Sequence, residues 1–212
     1  MKRILSTLLA IVILCAAVIP VSAAAFHDVK EHHWFYEDVM WVISLSDGLM
    51  HGGYPENFEP NSKLTRAEMV VILHSAEGSP QADIPEDVSW KAEVEGKWCE
   101  DAVAWAYAAG IVNGYPDGTF RPNETITREQ LAKIFKYYAE YRGVFRAVTV
   151  DLSQFKDSAK VGKWARDSVA FAVEYGIIKG RTVDTIVPRG TATRAECCAM
   201  LRRFIEAFDL NK

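Results

Sequence analysis

Apolar residues recur at helical spacing in three stretches, each of which begins with a Thr-Arg pair. The positions three, six and seven residues after the arginine are apolar in every stretch. These positions are Met69, Ile72 and Leu73, then Leu131, Ile134 and Phe135, then Cys197, Met200 and Leu201. This spacing covers one face of an α-helix. The pattern therefore predicts three helices that each bury one side.

Another helical pattern precedes each Thr-Arg pair. Between residues 98 and 110, Ala102, Val103, Ala106 and Ala109 form a helical stripe that Gly110 ends. A loop rich in glycine and proline turn signals then leads to the threonine. Each unit thus reads as helix–loop–helix, and we predict an all-α fold.

The unit occurs three times with constant internal spacing. Two glycines and one proline precede each arginine at fixed distances, and they are Gly48, Gly52 and Pro60, then Gly110, Gly114 and Pro122, then Gly176, Gly180 and Pro188. Two short helices cannot bury an apolar face alone, whereas three packed pairs can. We predict a signal peptide at 1–23 and repeats at 24–78, 82–143 and 151–212, hereafter units one, two and three.

The first 23 residues have the composition of a secretory signal peptide. Lys2 and Arg3 precede an apolar run that Pro20 breaks, and Val21-Ser22-Ala23 fits a cleavage site. The run is too short for a transmembrane anchor, so no membrane span is expected after cleavage. Without Lys2 and Arg3 the chain has 22 basic and 28 acidic residues, a net charge of −6. Such a balance argues against nucleic-acid binding.

The cysteines and histidines do not indicate a cofactor or a metal. Beyond the signal peptide the cysteines are Cys99, Cys197 and Cys198, an odd count. A disulfide between Cys99 and one of the others stays open, but buried thiols are favoured because Cys197 occupies an apolar helix position. His27, His32 and His33 lack a matching set of metal ligands, so a surface cluster is favoured. No nucleophile–base pair or phosphate loop appears, and we expect no enzyme.

Each Thr-Arg pair starts a capping box. Thr65, Thr127 and Thr193 are the predicted N-caps, and Glu68, Gln130 and Glu196 follow three residues later. The arginine opposes the helix dipole by about 0.3–1 kcal/mol if it stays exposed. It either pairs with an acid of its region, for which the candidates are Asp28, Asp87 and Asp157, or binds an anion together with free backbone N–H groups. Both roles can coexist if the aspartate orients the arginine.

Each unit opens with one of these aspartates, and a tryptophan follows it. The three tryptophans are Trp34, Trp98 and Trp164. An indole ring suits the C–H face of a sugar, although core packing is the alternative for any single tryptophan. Arginine, tryptophan and a glycine that permits close approach, in an exported chain, together point to an acidic carbohydrate.

These motifs resemble the S-layer homology family. Its hallmarks are Phe-x-Asp, a tryptophan, Thr-Arg-Ala-Glu and the loop Gly-Ile-x-x-Gly-Tyr-Pro-Asp-Gly-Thr-Phe-x-Pro, which stands complete at 110–122. The resemblance implies a pseudo-threefold bundle of three repeats on the bacterial cell wall or S-layer, without a catalytic role or a cofactor. It also implies non-covalent binding of secondary cell-wall polysaccharide, through sugars that carry a pyruvate ketal, and leaves room for a non-covalently held surface protein.

The family's ligand contacts carry over to matching positions in grooves between neighbouring units. They are Arg66, Arg128 and Arg194, with Asp28, Asp87 and Asp157, Trp34, Trp98 and Trp164, and Gly52, Gly114 and Gly180. Unit one has Glu-Asn in place of Asp-Gly, unit three lacks the Tyr-Pro-Asp-Gly turn, and unit two has Glu129-Gln130 where the others have Ala-Glu. We expect Arg128→Ala to weaken wall binding and leave the fold intact. The rival reading is a helical-hairpin structural or protein-interaction module whose arginines pair internally.

Overall fold

The computed structural model describes residues 26–45 and 56–210. The regular elements within these residues are helices. The α-helices are α1 Tyr36–Leu45, α2 Arg66–Ala76, α3 Lys91–Val94, α4 Glu100–Ala108, α5 Arg128–Tyr141, α6 Arg166–Glu174 and α7 Arg194–Ala207. Short 3-10 helices lie at Leu152–Gln154, Ser158–Lys160 and Lys163–Ala165. Isolated bridges are the only β-type pairing among these residues. The predicted all-α class is confirmed.

The three helices that follow the Thr-Arg pairs begin as predicted. Thr65 Oγ1 accepts from the Glu68 N–H at 3.2 Å, and Glu68 Oε2 accepts from the Thr65 N–H at 2.6 Å. The same reciprocal bonds start α5, with Gln130, and α7, with Glu196. The capping boxes are confirmed, and they fix where α2, α5 and α7 start.

Removing one cap is expected to destabilise the protein slightly. Thr127→Ala takes away the acceptor of the Gln130 N–H and should lower the free energy of unfolding by about 1 kcal/mol. Urea unfolding followed by circular dichroism measures the loss. Thr127→Ser keeps a hydroxyl acceptor and should stay within a few tenths of a kcal/mol of the wild type. Equal losses in both variants would contradict a capping role.

Helix packing joins each unit to the one before it. Helix α4 of unit two packs against α2 of unit one, and α6 of unit three packs against α5 of unit two. Helix α1 of unit one packs against α7 of unit three, which closes a ring. The main partner of each first helix is thus the second helix of the neighbouring unit. A single unit would leave both of its apolar faces open.

One hydrophobic core runs through all three units. All nine apolar residues that the helical spacing selects on α2, α5 and α7 are buried. Phe135 and Phe204 stack with ring centroids 5.3 Å apart, and Tyr138 lies 5.3 Å from Phe204, so α5 and α7 meet through aromatic rings. The predicted buried faces are confirmed.

The residues just before α2, α5 and α7 interlock at the centre of the ring. The N–H of Leu64 donates to Ala192 O at 3.1 Å, that of Ala192 donates to Ile126 O at 3.1 Å, and that of Ile126 donates to Leu64 O at 2.8 Å. All three side chains are completely buried. This closed cycle of hydrogen bonds gives the bundle its pseudo-threefold arrangement.

The three cysteines within the described residues are buried thiols. Cys99, Cys197 and Cys198 form no disulfide and are inaccessible to solvent, and burial raises the pKa of each thiol. The interpretation as small core residues is confirmed. The signal peptide lies outside the described residues. Within them, the helices are too short or too polar to cross a bilayer.

Candidate functional site

Each recurrent arginine reaches into the following unit. Its Nε donates to the backbone carbonyl of the apolar residue two positions before the recurrent proline. The three bonds are Arg66 to Phe120 O at 3.0 Å, Arg128 to Ile186 O at 2.8 Å and Arg194 to Phe58 O at 2.9 Å. The arginines therefore link units one to two, two to three and three back to one. All three are buried, with Arg128 only 2% exposed.

The backbone N–H groups at these helix starts are occupied by the neighbouring loop. The N–H groups of Arg66 and Ala67 donate to Glu124 O at 2.9 Å and Pro122 O at 3.0 Å. Equivalent bonds to the next loop start α5 and α7, and the third N–H of each helix belongs to the threonine cap. The expectation that free N–H groups hold an anion is therefore wrong. The docked loop supplies carbonyl groups in place of a ligand.

In units one and three, the opening aspartate binds the loop whose carbonyl group accepts the hydrogen bond from an arginine Nε. Asp28 accepts from the N–H groups of Phe58 and Glu59 at 2.9 and 2.7 Å. Asp157 accepts from those of Ile186 and Val187 at 2.9 and 2.8 Å. Each carboxylate thus fixes the peptide whose carbonyl holds an arginine. The ion pairs described for the arginines involve glutamates, so direct pairing with these aspartates is wrong, while indirect orientation through the peptide is present.

In unit two this position belongs to Glu93 on α3. Its carboxylate accepts from the N–H groups of Phe120 and Arg121 at 2.9 and 2.8 Å, while Asp87 is exposed. The match of Asp87 with Asp28 and Asp157 is therefore wrong in structural terms. The number of residues between the acid and the following tryptophan could have identified Glu93 as the equivalent residue. Asp28 and Asp157 stand six and seven residues before their tryptophans, Glu93 stands five before Trp98, and Asp87 stands eleven before it.

Arg66 lines a cavity of about 530 Å³ that we call the Arg66 groove. Its principal residues are Arg66, Gly114, Tyr115, Gln130, Lys133 and Trp164. They come from all three units. The Arg66 guanidinium lies 4.6 Å from the centre of the Tyr115 ring, and the Tyr115 hydroxyl accepts from Gln130 Nε2 at 2.8 Å. A side chain at Gly114 would approach Trp90 Cδ1 to 2.5 Å, so only glycine fits this wall.

Arg128 lines a smaller cavity of about 220 Å³, the Arg128 groove. Its principal residues are Trp34, Arg128, Gly180, Arg181, Glu196 and Arg203. The Glu196 carboxylate lies 3.8 Å from Arg128 Nη1 and accepts from Nε and Nη2 of Arg181, both at 3.0 Å. Burial acts to raise the pKa of Glu196, but the hydrogen bonds from Arg181 and the Thr193 N–H, together with the charges of both arginines, lower it on balance.

Arg194 faces a glutamate as Arg128 does, because its Nη1 lies 3.9 Å from Glu68. The loop that corresponds to the walls of the other grooves falls at 46–55, outside the described residues, and the Gly52 prediction lies there. Gly114 and Gly180 line their cavities as the resemblance implies. Their contact with a ligand stays a prediction.

The three predicted tryptophans are on the surface. Trp34, Trp98 and Trp164 are 64%, 63% and 54% exposed, so core packing is excluded for them. Trp164 lies at the Arg66 groove and Trp34 at the Arg128 groove. An exposed indole beside a buried guanidinium offers one surface for the face of a sugar ring and one cation for an acidic group.

Sequence reasoning missed several charged residues of the grooves. The clearest is Lys133, which stands three residues after Gln130 on α5 and hence on the same helix face. Burial, and to a smaller extent the charge of Arg66, lower the pKa of Lys133. Burial also lowers the pKa of Arg66 and Arg128, although a guanidinium keeps its charge in proteins. Helix spacing from the cap position would have located Lys133.

The described residues contain no group of three or more histidine, cysteine or acidic side chains that could hold a metal ion. His32 and His33 contact each other, with ring centroids 4.5 Å apart. His33 Nδ1 accepts from the Lys30 N–H at 3.1 Å. This bond gives the ring a local structural partner.

Comparison with known proteins gives three matches to one family model. The model, described as S-layer homology domain, matches residues 25–70, 93–132 and 154–197. Each match lies inside one of the ranges predicted for units one, two and three. The resemblance drawn from the sequence motifs is confirmed.

Relatives of this chain include long proteins. It is 32% identical to the cellulosome-anchoring protein of Acetivibrio thermocellus over 75% of this chain and 36% of that protein. It is 31% identical to the surface-layer 125 kDa protein of Lysinibacillus sphaericus over 93% of this chain and 16% of the relative. It is 32% identical to an amylopullulanase of Thermoanaerobacterium thermosulfurigenes over 85% of this chain and 9% of the enzyme. The chain therefore spans about a third or less of these relatives.

Proposed function

The chain belongs to the S-layer homology domain family, and from that premise we propose that it is a non-catalytic module for cell-surface anchoring. It is a protein of the cell wall or S-layer, in keeping with its family and its S-layer relatives. Its ligand is an acidic secondary cell-wall polysaccharide with pyruvylated sugar termini. By holding this polymer it retains itself, or a non-covalently bound protein, at the surface.

The Arg66 groove is the observation that carries this proposal. Its volume of about 530 Å³ falls within the range of small-ligand sites. The Nε of Arg66 is held by Phe120 O. Its two terminal nitrogens have no hydrogen-bond acceptor among the described residues, so they are donors for a carboxylate. A pyruvate ketal places such a carboxylate on a sugar ring, and Trp164 supplies the apolar surface for that ring.

Attraction must be local because the whole chain is acidic, with a net charge of −4. A negative protein does not draw an anionic polymer from a distance. Binding therefore depends on buried cations in a groove, where screening by salt is weaker than at the surface.

The rival function is a structural or protein-interaction module. It is supported by the ion pairs of Arg128 with Glu196 and Arg194 with Glu68, and by the buried Nε bonds. These contacts give the arginines a role in the fold that needs no ligand. They do not explain why Arg66 lines an open cavity without an ion-pair partner among the described residues.

Sedimentation with purified cell-wall sacculi separates the two functions. We expect the chain to sediment with intact sacculi and to stay in solution when the wall polysaccharide has been stripped by acid. Adding free pyruvylated polymer should release bound protein, whereas the same polymer after removal of the ketal should not. Equal binding to intact and stripped sacculi would support the rival function.

A further inference from the structure

The third residue of each Thr-Arg helix does more than cap its own helix. It also faces the arginine of the preceding unit. Glu196 lies 3.8 Å from Arg128, and Glu68 lies 3.9 Å from Arg194. The corresponding residue in the Arg66 groove is Gln130, an amide without charge. Two arginines of the ring therefore have a protein carboxylate near them, and Arg66 has none at this position.

The Arg66 groove has a second cation on α5, one turn from Gln130. Lys133 lines the Arg66 groove, whereas the matching positions of units one and three are Val71 and Ala199. Of the described residues that line the groove, none carries a carboxylate. Burial is the main cause that lowers the pKa of Lys133, and the charge of Arg66 lowers it further. The acids whose charges act on Arg66, Glu124 and Glu93, lie outside this lining, so an entering carboxylate would be the first within the groove.

The described lining of the Arg128 groove contains one carboxylate, Glu196, beside four cations, Lys179, Arg128, Arg181 and Arg203. Both Nε and Nη2 of Arg181 hold the Glu196 carboxylate at 3.0 Å, and Thr193 N–H holds it at 2.8 Å. A carboxylate ligand that approaches Arg128 would meet the negative charge of Glu196 within a smaller cavity. Like charges at such range oppose binding.

We infer that this residue decides which groove takes an acidic sugar, so that Gln130 makes the Arg66 groove the preferred site and Glu196 acts as an internal competitor in the Arg128 groove. The inference rests on the proposed function and adds its specificity determinant. Wild-type protein binds one monocarboxylate sugar tightly at the Arg66 groove and a second more weakly at the Arg128 groove. The repeated units thus provide two grooves of different affinity for the same ligand.

A reciprocal exchange tests the inference because both residue types serve as caps in this chain. Gln130→Glu adds the charge to the Arg66 groove, and its carboxylate can accept a hydrogen bond from the Tyr115 hydroxyl, which in the wild type donates to Glu124 at 3.4 Å. Glu196→Gln removes the charge from the Arg128 groove. Gln154→Glu adds the same charge at an exposed site outside both grooves and is the matched control.

The readout is NMR titration with a methyl hexoside that carries a pyruvate ketal. The indole N–H signals of Trp164 and Trp34 report on the Arg66 and Arg128 grooves separately, once assigned by Trp164→Phe and Trp34→Phe. In the wild type, Trp164 should respond at lower ligand concentration than Trp34. Gln130→Glu should weaken the Trp164 response about tenfold, and Glu196→Gln should strengthen the Trp34 response about fivefold. Gln154→Glu should change neither.

The outcomes separate this inference from the function beneath it. Saturable binding by the wild type that neither exchange alters would overturn the inference and leave the proposed function standing. Equal wild-type affinities at the two indoles would do the same. Failure of the ketal sugar to move either signal would overturn both. Thermal unfolding of each variant at wild-type temperature shows that the fold is preserved.

Discussion

Arg66→Met is expected to reduce affinity for pyruvylated wall polymer by about 10- to 150-fold. This range corresponds to the loss of about 1.5–3 kcal/mol, the usual contribution of hydrogen bonds to charged groups. Methionine fills much of the arginine volume, so the change removes donors and charge without opening a large cavity. Affinity is measured by calorimetry with soluble polymer released from sacculi.

The same substitution should lower stability. Without the guanidinium, the buried carbonyl of Phe120 loses its donor, which costs about 1–3 kcal/mol of unfolding free energy. Arg189→Met is the matched control because Arg189 is exposed and lies outside both grooves. It should change neither binding nor stability. An Arg66→Met protein that is destabilised yet binds the polymer like the wild type would assign Arg66 a purely structural role.

This dual role changes the expectation for Arg128. The sequence suggested that Arg128→Ala would weaken binding and spare the fold. In the structure, Arg128 is 2% exposed and holds Ile186 O, so its removal must also destabilise the link between units two and three. A loss of stability alone therefore does not exclude ligand binding, and the two properties have to be measured on the same variant.

Local features of the fold could be read from the sequence because they depend on neighbours in the chain. The capping boxes need only a threonine and an acid or amide three residues later. The buried faces of α2, α5 and α7 need only helical spacing. These predictions hold because tertiary packing agrees with the local pattern in all three units.

Contacts between units could not be read in this way. Nothing in the spacing says that α1 packs against α7, or that carbonyl groups of the loop before α5 accept hydrogen bonds from the N–H groups at the start of α2. That docking removed the free N–H groups on which the sequence-based anion site depended. The groove survives as a candidate because the guanidinium itself, rather than the helix end, provides the donors.

Unit two shows how an insertion misleads a repeat alignment. Helix α3 lies between the opening Asp87 and Trp98 and places Glu93 where the other units place an aspartate. Asp87 therefore matches the family motif in sequence, whereas Glu93 occupies the equivalent position in the structure. A longer glutamate side chain on a helix reaches the same pair of backbone N–H groups.

Glu93→Ala is accordingly expected to destabilise the protein by about 2–4 kcal/mol, whereas Asp87→Ala should stay within about 0.5 kcal/mol of the wild type. The first change leaves the N–H groups of Phe120 and Arg121 without their charged acceptor. The second removes an exposed side chain. At about 2–4 °C per kcal/mol for a chain of this size, the difference is readily seen in thermal unfolding.

Glu93→Gln extends the comparison to the groove. The amide keeps one acceptor for the loop, so the variant should fold, but it holds the Phe120 peptide less firmly. Because the Phe120 carbonyl positions Arg66, affinity for pyruvylated polymer should fall several-fold while Asp87→Asn leaves it unchanged. If instead Asp87→Asn lowered affinity and Glu93→Gln did not, Asp87 would be the ligand contact that the family resemblance implied, and the carboxylate on α3 would serve the loop alone.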